Sequence, residues 1–473
     1  LIAKPGEQPV AIDACGAAAA SASIEWYRER GISSAIPFRG GVAANTVAGT
    51  LSGWQAACEF SRQRLAGRLP LSRLLADAIG YAEDGIAVTR SQAVCTTAKL
   101  AELAPQPGFA KTFLQNGVAP SAGSVFRQPL LAATLRHLSN KGIDEAYRGE
   151  LAASIAADLA SVGSPVAAAD LVKHHAHLVT PLPLAHSRGT VFNMAPPTQG
   201  VVSLMILGIL DAIGIDGMDP LGADYVHHCV EATKQAFAVR DRHVTDPAYM
   251  TVPAQSLLEA SALKALAAKV DQHRAAPWGK GNGPGDTVWM GAIDGNGVMV
   301  SFIQSIYHEF GAGIVLPGSG INWQNRGTSF ALNETALNVL RPGRKPFHTL
   351  NPALSRLKDG RSMVYGTMGG DGQPQTQCAV FTRQVIAGMQ PQAAINAPRW
   401  LLGRTWGQPS ETLKLEARFA DSVVADLASR GHDVEVLGEW DESMGHAGSI
   451  VRHPNGVLEG GADPRSDGGV AAF

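Results

Sequence analysis

Nowhere in its 473 residues does the chain hold an apolar run of about 18 residues, the length a membrane-spanning helix needs, so the sequence offers no membrane segment. A surplus of basic charge is missing as well. With 39 Lys and Arg against 41 Asp and Glu, net charge −2, no cationic stripe can neutralise phosphates, which excludes a nucleic-acid or polyanion binder. Cysteine is scarce: Cys15, Cys58, Cys95, Cys229 and Cys378 are odd in number, widely spaced and form no C-x-x-C pair. They make neither a disulfide framework nor a zinc site, and they suit a reducing, cytoplasmic compartment. The start of the chain lacks a basic signal-like stretch, and Leu1 to Ala3 read as the end of a strand already under way, so a native segment is expected to precede Leu1. Internal repeats and low-complexity linkers are absent too, and one compact body is expected.

What is present points to a small-molecule partner. The 52 glycines and 28 prolines imply many tight turns and close approach of backbone to a site. Apolar periodicity predicts helices over Trp54 to Leu65, Leu71 to Asp84, Gln128 to Lys141, Asp144 to Ala160, Ala167 to Lys173, Val201 to Ile213, Ala223 to Arg242 and Leu257 to Gln272. In the second half, helices are expected at Gln375 to Met389, Pro391 to Asn396 and Ala420 to Arg430. Short strands are expected around Ile314, at Ala353 to Leu357, Met363 to Gly366, Leu413 to Glu416 and Val434 to Leu437, and near Ser449 and Val457. Strands in both halves with helices outside suit an α/β fold of four stacked layers, an α-β-β-α sandwich. His174-His175-Ala176-His177 lacks the further ligand of a closed zinc shell and reads as a helix terminus, and His227-His228 as a helix face packed beside polar neighbours.

One stretch stands apart. A Gly/Pro-rich run from Gly279 ends at Gly285, and Asp286-Thr287 then opens an apolar strand, placing the threonine at a loop-to-strand junction. Gly295 to Gly297 read as a hairpin turn and Val298 to Ile306 as the returning strand, which brings Ser305 back towards Thr287. A plain surface hairpin would give the same pattern, so the surrounding motifs must decide.

Those motifs are Thr287 to Asp294, Phe310 to Val315, Ser319-Gly320-Ile321, Pro346 to Pro352, Gly366 to Gly370, Asn396 to Arg399 and Gly460 to Ser466, joined upstream by Asn45 to Gly53, Tyr81 to Ile86 and Ala195 to Gly200. In this order they resemble the γ-glutamyltransferase family of N-terminal nucleophile hydrolases across nearly the whole chain. The resemblance implies self-cleavage between Asp286 and Thr287 into a large subunit, 1–286, and a small subunit, 287–473, that stay associated, with a dimer of such heterodimers as a further implied assembly. It implies no metal and no cofactor. A threonine hydroxyl is a poor nucleophile unless a base takes its proton, and an N-terminal threonine carries one in its α-amine, whose reference pKa is about 7.7–8.0. By resemblance Thr287 is the nucleophile, Ser305 supports it, and Gly369 and Gly370 form the oxyanion hole, where glycine lets peptide N–H groups approach without a side chain in the way.

Departures from the family pattern bear on the substrate. The arginine that holds a glutamyl carboxylate is replaced by Cys15, and the residues that hold its ammonium by Arg326 and Ser329. His348 and Thr349 stand where the family has a serine pair, and Tyr307 is assigned to the same substrate site. An arginine repels an amino group and grips a carboxylate, so the expected substrate is a small amide bearing a carboxylate, such as oxamate, hydrolysed with water. The oxamate amidohydrolase subgroup is the part of the family it resembles most. Glutathione hydrolase or transferase, cephalosporin-type acylase and an unprocessed binding protein are the alternatives.

Overall fold

The computed structural model describes residues 1–279, 286–405 and 410–473. The chain forms two compact units, the first from Leu1–Ala11, Thr180–Ser305 and Phe347–Phe473, the second from Ile12–Val179 and Ile306–Pro346. Neither follows a division at residue 286.

In the first unit, strands β1 (Leu182–His186), β2 (Gly189–Asn193), β5 (Ala353–Leu357), β6 (Ser362–Thr367), β7 (Ala447–Arg452) and β8 (Leu458–Ala462) form an antiparallel sheet in the order β8-β7-β6-β5-β2-β1. Its register sets Leu354 opposite Phe192 and Tyr365 opposite Ser449. The predicted hairpin supplies β3 (Asp286–Ile293) and β4 (Met299–Tyr307), and Ile2–Ala3 completes a second, three-stranded sheet. Strand β3 packs on β6 and β7. Helices α1 (Gly200–Ile213), α2 (Ala223–His243) and α3 (Gln373–Phe381) belong to the same unit. Alternation along β6 explains this layering: Met363 and Tyr365 turn into the helical core, where the Tyr365 ring lies 5.9 Å from Phe381 of α3. Val364 and Gly366 point the other way, towards β3. Helix α1 is apolar all round and buried from Gly200 to Leu210, as a helix covered on every side must be, and Gly214 in the left-handed region ends it.

The second unit is mainly helical. Thr50–Arg64, Leu71–Asp84, Arg90–Leu103, Pro129–Lys141 and Glu150–Ser161 are its longer helices, with Tyr27, Leu138, Leu159 and Trp323 in its core. Among the described residues no helix is long and apolar enough to cross a membrane.

Four expected elements differ. Asp144 to Ala160 is two helices, Glu145–Arg148 and Glu150–Ser161, parted where Gly149 takes extended backbone geometry, φ −109° and ψ −163°. Leu257 to Gln272 is not one helix: a 3-10 turn at Ala254–Leu258 precedes helix Ala260–Ala267, and Asp271 Oδ1 then accepts from the His273 and Arg274 amides in a competing turn. Around Ile314 there is no regular strand, because Gly311 and Gly313 take φ of 55° and 72°, outside extended geometry. The helix expected to reach Met389 is α only to Phe381 and continues as a wider π turn over Thr382–Ile386, where the Thr382 hydroxyl donates back to the Cys378 carbonyl at 2.7 Å.

Candidate active site

The position of Thr287 is set by the tryptophan two residues on. The Trp289 indole lies across β6 and β7, so a Cβ on Gly366 would come within 2.1 Å of Trp289 Cδ1 and one on Gly448 within 2.5 Å of its Cζ3. Glycine is a steric requirement at both places. The ring is pinned by Nε1, which donates to Ser301 Oγ at 3.0 Å. Further along β3, a Cβ on Gly291 would lie 3.2 Å from Val364 Cγ2. Residue 291 thus sits by 364 and 289 by 366. The next residue on that face is Thr287, in the direction in which β6 runs on into Gly369. On the other side, Asp294 N donates to Val298 O at 3.0 Å and closes the hairpin. Each rung outward moves one residue along each strand, so an unbulged ladder sets Thr287 across from Ser305.

Strand β6 ends in a turn that only glycine accommodates well. Gly369 has φ 132° and Gly370 φ 51°, and helix α3 starts at Gln373. The Gly369 carbonyl accepts from Gly372 N at 2.7 Å and from Thr405 Oγ1 at 3.3 Å. The Gly370 carbonyl accepts from Gln199 Nε2 at 2.8 Å, and the same amide nitrogen donates to the Thr349 carbonyl at 3.1 Å. His348 is tied to the same place: its N–H donates to Pro197 O at 2.8 Å, and its carbonyl accepts from Gln199 N at 2.9 Å. Arg240 completes the support, with Nη1 3.0 Å from Asp371 Oδ1 and both side chains buried. Four of the expected site residues, His348, Thr349, Gly369 and Gly370, are therefore gathered around Gln199.

In the second unit, Arg326 and Ser329 share the 3-10 turn Arg326–Ser329. The Arg326 guanidinium is buried and stacks 3.8 Å from the centroid of the Tyr307 ring, whose residue has φ 81°. Gln324 fixes the approach to this turn: its Oε1 accepts from Arg326 N at 3.1 Å while Nε2 donates to Thr46 Oγ1 at 2.6 Å. Cys15 belongs to the same surroundings. Burial and the Asp13 carboxylate push its thiol well above the ordinary range, against the opposing pull of Lys345 and Arg326. The cysteine that replaces the family's clamp and the arginine that appears in sequence at a distance are thus electrostatic neighbours. Glu309, a candidate partner for such a cation, lies 4.0 Å from Arg39.

Among the described residues one group, His227, Glu231 and His432, has donor atoms close enough to hold a metal ion, within 4.8 Å of one another. Each is engaged otherwise: His227 with His432 at 2.8 Å, Glu231 with Lys234 at 2.7 Å. His174 caps helix Ala168–Lys173, and burial lowers its pKa to about 4.

Sequence reasoning missed Gln199, Arg240 and Asp371. Gln199 lay inside a recognised motif and Asp371 directly after the double glycine, but Arg240 carries no local signal. It also missed that Arg399, Asp463, Arg465 and Glu416 form one buried ionic knot, in which Arg465 meets Glu416 at 2.5 Å and Asp463 at 3.0 Å.

The sheets and helices have the fold of an N-terminal nucleophile hydrolase. The chain belongs to the gamma-glutamyltranspeptidase family, whose profile matches residues 1–473, and is an amidohydrolase, made as a precursor that processes itself. It is 57% identical over 473 residues to the oxamate amidohydrolase proenzyme of Klebsiella pneumoniae, covering 100% of this chain and 89% of that one. It is 39% identical over 440 residues to the glutathione hydrolase-like YwrD proenzyme of Bacillus subtilis, covering 93% and 83%. Its fold is that of the cephalosporin acylase from Bacillus halodurans, with a TM-score of 0.88 at 32% identity over 100% of this chain and 86% of that structure.

Proposed function

We propose that cleavage between Asp286 and Thr287 divides the precursor into subunits 1–286 and 287–473, and that the mature enzyme hydrolyses a small amide with a carboxylate beside the reacting carbonyl, oxamate being the model substrate. Thr287 Oγ adds to the amide carbon and passes its proton to its own α-amine. The oxyanion forms against peptide N–H groups of Gly369 and Gly370, and Ser305 orients the attacking hydroxyl. The carbon–nitrogen bond breaks, and ammonia leaves with the proton held by the α-amine. Water then attacks the threonyl ester, again through that amine, releasing the second carboxylate and restoring the hydroxyl. Arg326, supported by Tyr307, Ser329, His348 and Thr349, receives the substrate carboxylate.

The observation that supports this reading is the packing of Gly291 by Val364 and of Trp289 by Gly366, which lays the strand of Thr287 on the strand that leads into Gly369. The replacement of a cationic clamp by Cys15, with Arg326 as a new cation, supports the choice of substrate. The small number and wide spacing of the five cysteines, with no C-x-x-C pair, support a cytoplasmic location, and a dimer of heterodimers is the assembly we propose. Likeness to a cephalosporin acylase favours one second reading, deacylation of a bulkier amide. Ammonia release from oxamate, set beside hydrolysis of γ-glutamyl-p-nitroanilide and of a cephalosporin side-chain amide, separates these. Turnover of oxamate alone is expected, and robust turnover of either other amide in its place contradicts the proposal.

A further inference from the structure

Among the polar side chains that helix α2 buries away from the site above are His227, Glu231 and Lys234. All three are directed at the main chain of one irregular segment, Asp271 to Trp278. His227 Nε2 meets the Asp271 carbonyl at 2.8 Å and its Nδ1 meets His432 Nε2 at 2.8 Å; the carbonyl can only accept, so His432 donates to His227. Lys234 Nζ donates to the Ala276 carbonyl and to Glu231 Oε1, each at 2.7 Å, while Glu231 Oε2 accepts from Ala276 N at 3.1 Å. Both members of a buried ion pair thus grip the main chain of one residue, Ala276. From another element, Arg430 accepts from Ala275 N at 2.8 Å through its carbonyl and donates to Gln272 O at 3.2 Å through Nη1. The Trp278 ring ends the series, 5.8 Å from the Phe237 ring of α2.

A buried ion pair rarely adds net stability over an apolar pair. What distinguishes this connection is where it leads. Only residues 279–285 separate Trp278 from strand β3, which contains Asp286 and Thr287.

We propose that His227, Glu231 and Lys234 are positioning residues for maturation, clamping the chain immediately before the bond that is cut. The inference rests on Asp286–Thr287 being that bond. In the step they serve, Thr287 Oγ adds to the Asp286 carbonyl carbon, the peptide bond to Thr287 nitrogen breaks and that nitrogen takes the hydroxyl proton. Water then hydrolyses the ester to an Asp286 carboxylate and the free hydroxyl. Losing the α2 contacts frees the Ala276 main chain while Arg430 still holds Ala275 N, so maturation is expected to slow about twofold rather than to stop. Once the bond is cut, the clamp holds only the end of the large subunit, so turnover no longer depends on it.

The test follows precursor after a pulse of synthesis, by intact mass, in Lys234→Met and Trp278→Ala. The second variant keeps every α2 charge paired and so covers the case in which the first fails to fold. Expected are precursor half-lives about twofold longer than wild type, a small subunit beginning at Thr287, and an unchanged kcat of the matured fraction. An unchanged half-life overturns the inference, as does a kcat that falls in step with maturation, the sign of general damage. A small subunit with another first residue overturns the reading of the cut bond itself, an outcome visible in the mass independently of any rate.

Discussion

The side-chain amide of Gln199 joins two peptide carbonyls from separate stretches of chain, Gly370 O at 2.8 Å and Thr349 O at 3.1 Å. Its orientation is fixed from behind, because Arg240 Nη1 approaches Gln199 Oε1 at 3.4 Å and a guanidinium can only donate. The amide nitrogen must therefore face the carbonyls. Arg240 is in turn held by Asp371, so the residue after the double glycine and the glutamine of the Pro-Pro-Thr-Gln-Gly motif are braced against each other through one cation.

Replacing Gln199 by leucine removes the brace and keeps the volume. Turnover is expected to fall about 10–100-fold, the scale of a small misplacement of catalytic groups, with KM little changed. Two buried carbonyls each lose one donor, so the unfolding free energy should drop by about 1–3 kcal/mol. Steady-state kinetics with urea unfolding reads both, and an unaltered kcat would leave Gln199 with a role in folding only.

Ser305→Ala should leave the fold intact and slow turnover about 100-fold, the scale of losing one positioned hydrogen-bonding partner. Single-turnover rates on purified, fully cleaved protein measure this. A rate equal to wild type returns Ser305 to an ordinary strand position.

Arg326→Gln tests the charge argument. KM for a carboxylated amide should rise steeply and KM for its uncharged analogue only slightly, a difference of roughly 2–5 kcal/mol for a desolvated charge pair. Equal losses on both substrates would mean that Arg326, stacked on Tyr307, serves only to hold its turn.

The buried knot makes a prediction about acid. Burial opposes ionisation of Asp463, but Arg399 and Arg465 outweigh it and hold the carboxyl below its ordinary range. A depressed folded-state pKa means that this stabilisation is fully present above the unfolded value of about 3.9 and is lost as pH falls through the folded value. Asp463→Asn leaves two buried cations short of a partner and should cost about 3–5 kcal/mol at pH 7. Its stability should also change less than that of wild type between pH 5 and pH 3, which urea titrations at several pH values will show.

Much of this was legible in the sequence where the signal is local. Leu71–Asp84 has the periodicity and glycine stop of a helix, and Ala353–Leu357 and Leu413–Glu416 the length and bounding turns of strands, and all three fall where expected. The hairpin carrying Thr287 and Ser305 was likewise set by its Gly-Asn-Gly turn. The stretch around Ile314 misled because its apolar residues pack from an irregular loop, which the backbone angles of Gly311 and Gly313 impose. Gly366 and Gly448 could not be understood singly, since the reason for both is one indole from another sheet. Arg240 reads as one more helix charge until Asp371, far along the chain, is brought beside it. Asn396 to Arg399 and Gly460 to Ser466 were recognised as family motifs, but the ion pair between Arg399 and Asp463 is what links them.

The central claim is that one hydroxyl, that of Thr287, performs both maturation and turnover. Intact-mass analysis of the purified wild-type protein beside Thr287→Ala tests it most directly. Wild type should give two chains that divide between Asp286 and Thr287, and the variant a single, folded, uncut and inactive chain. Two subunits from Thr287→Ala, or an active wild-type enzyme that stays uncut, would contradict the account.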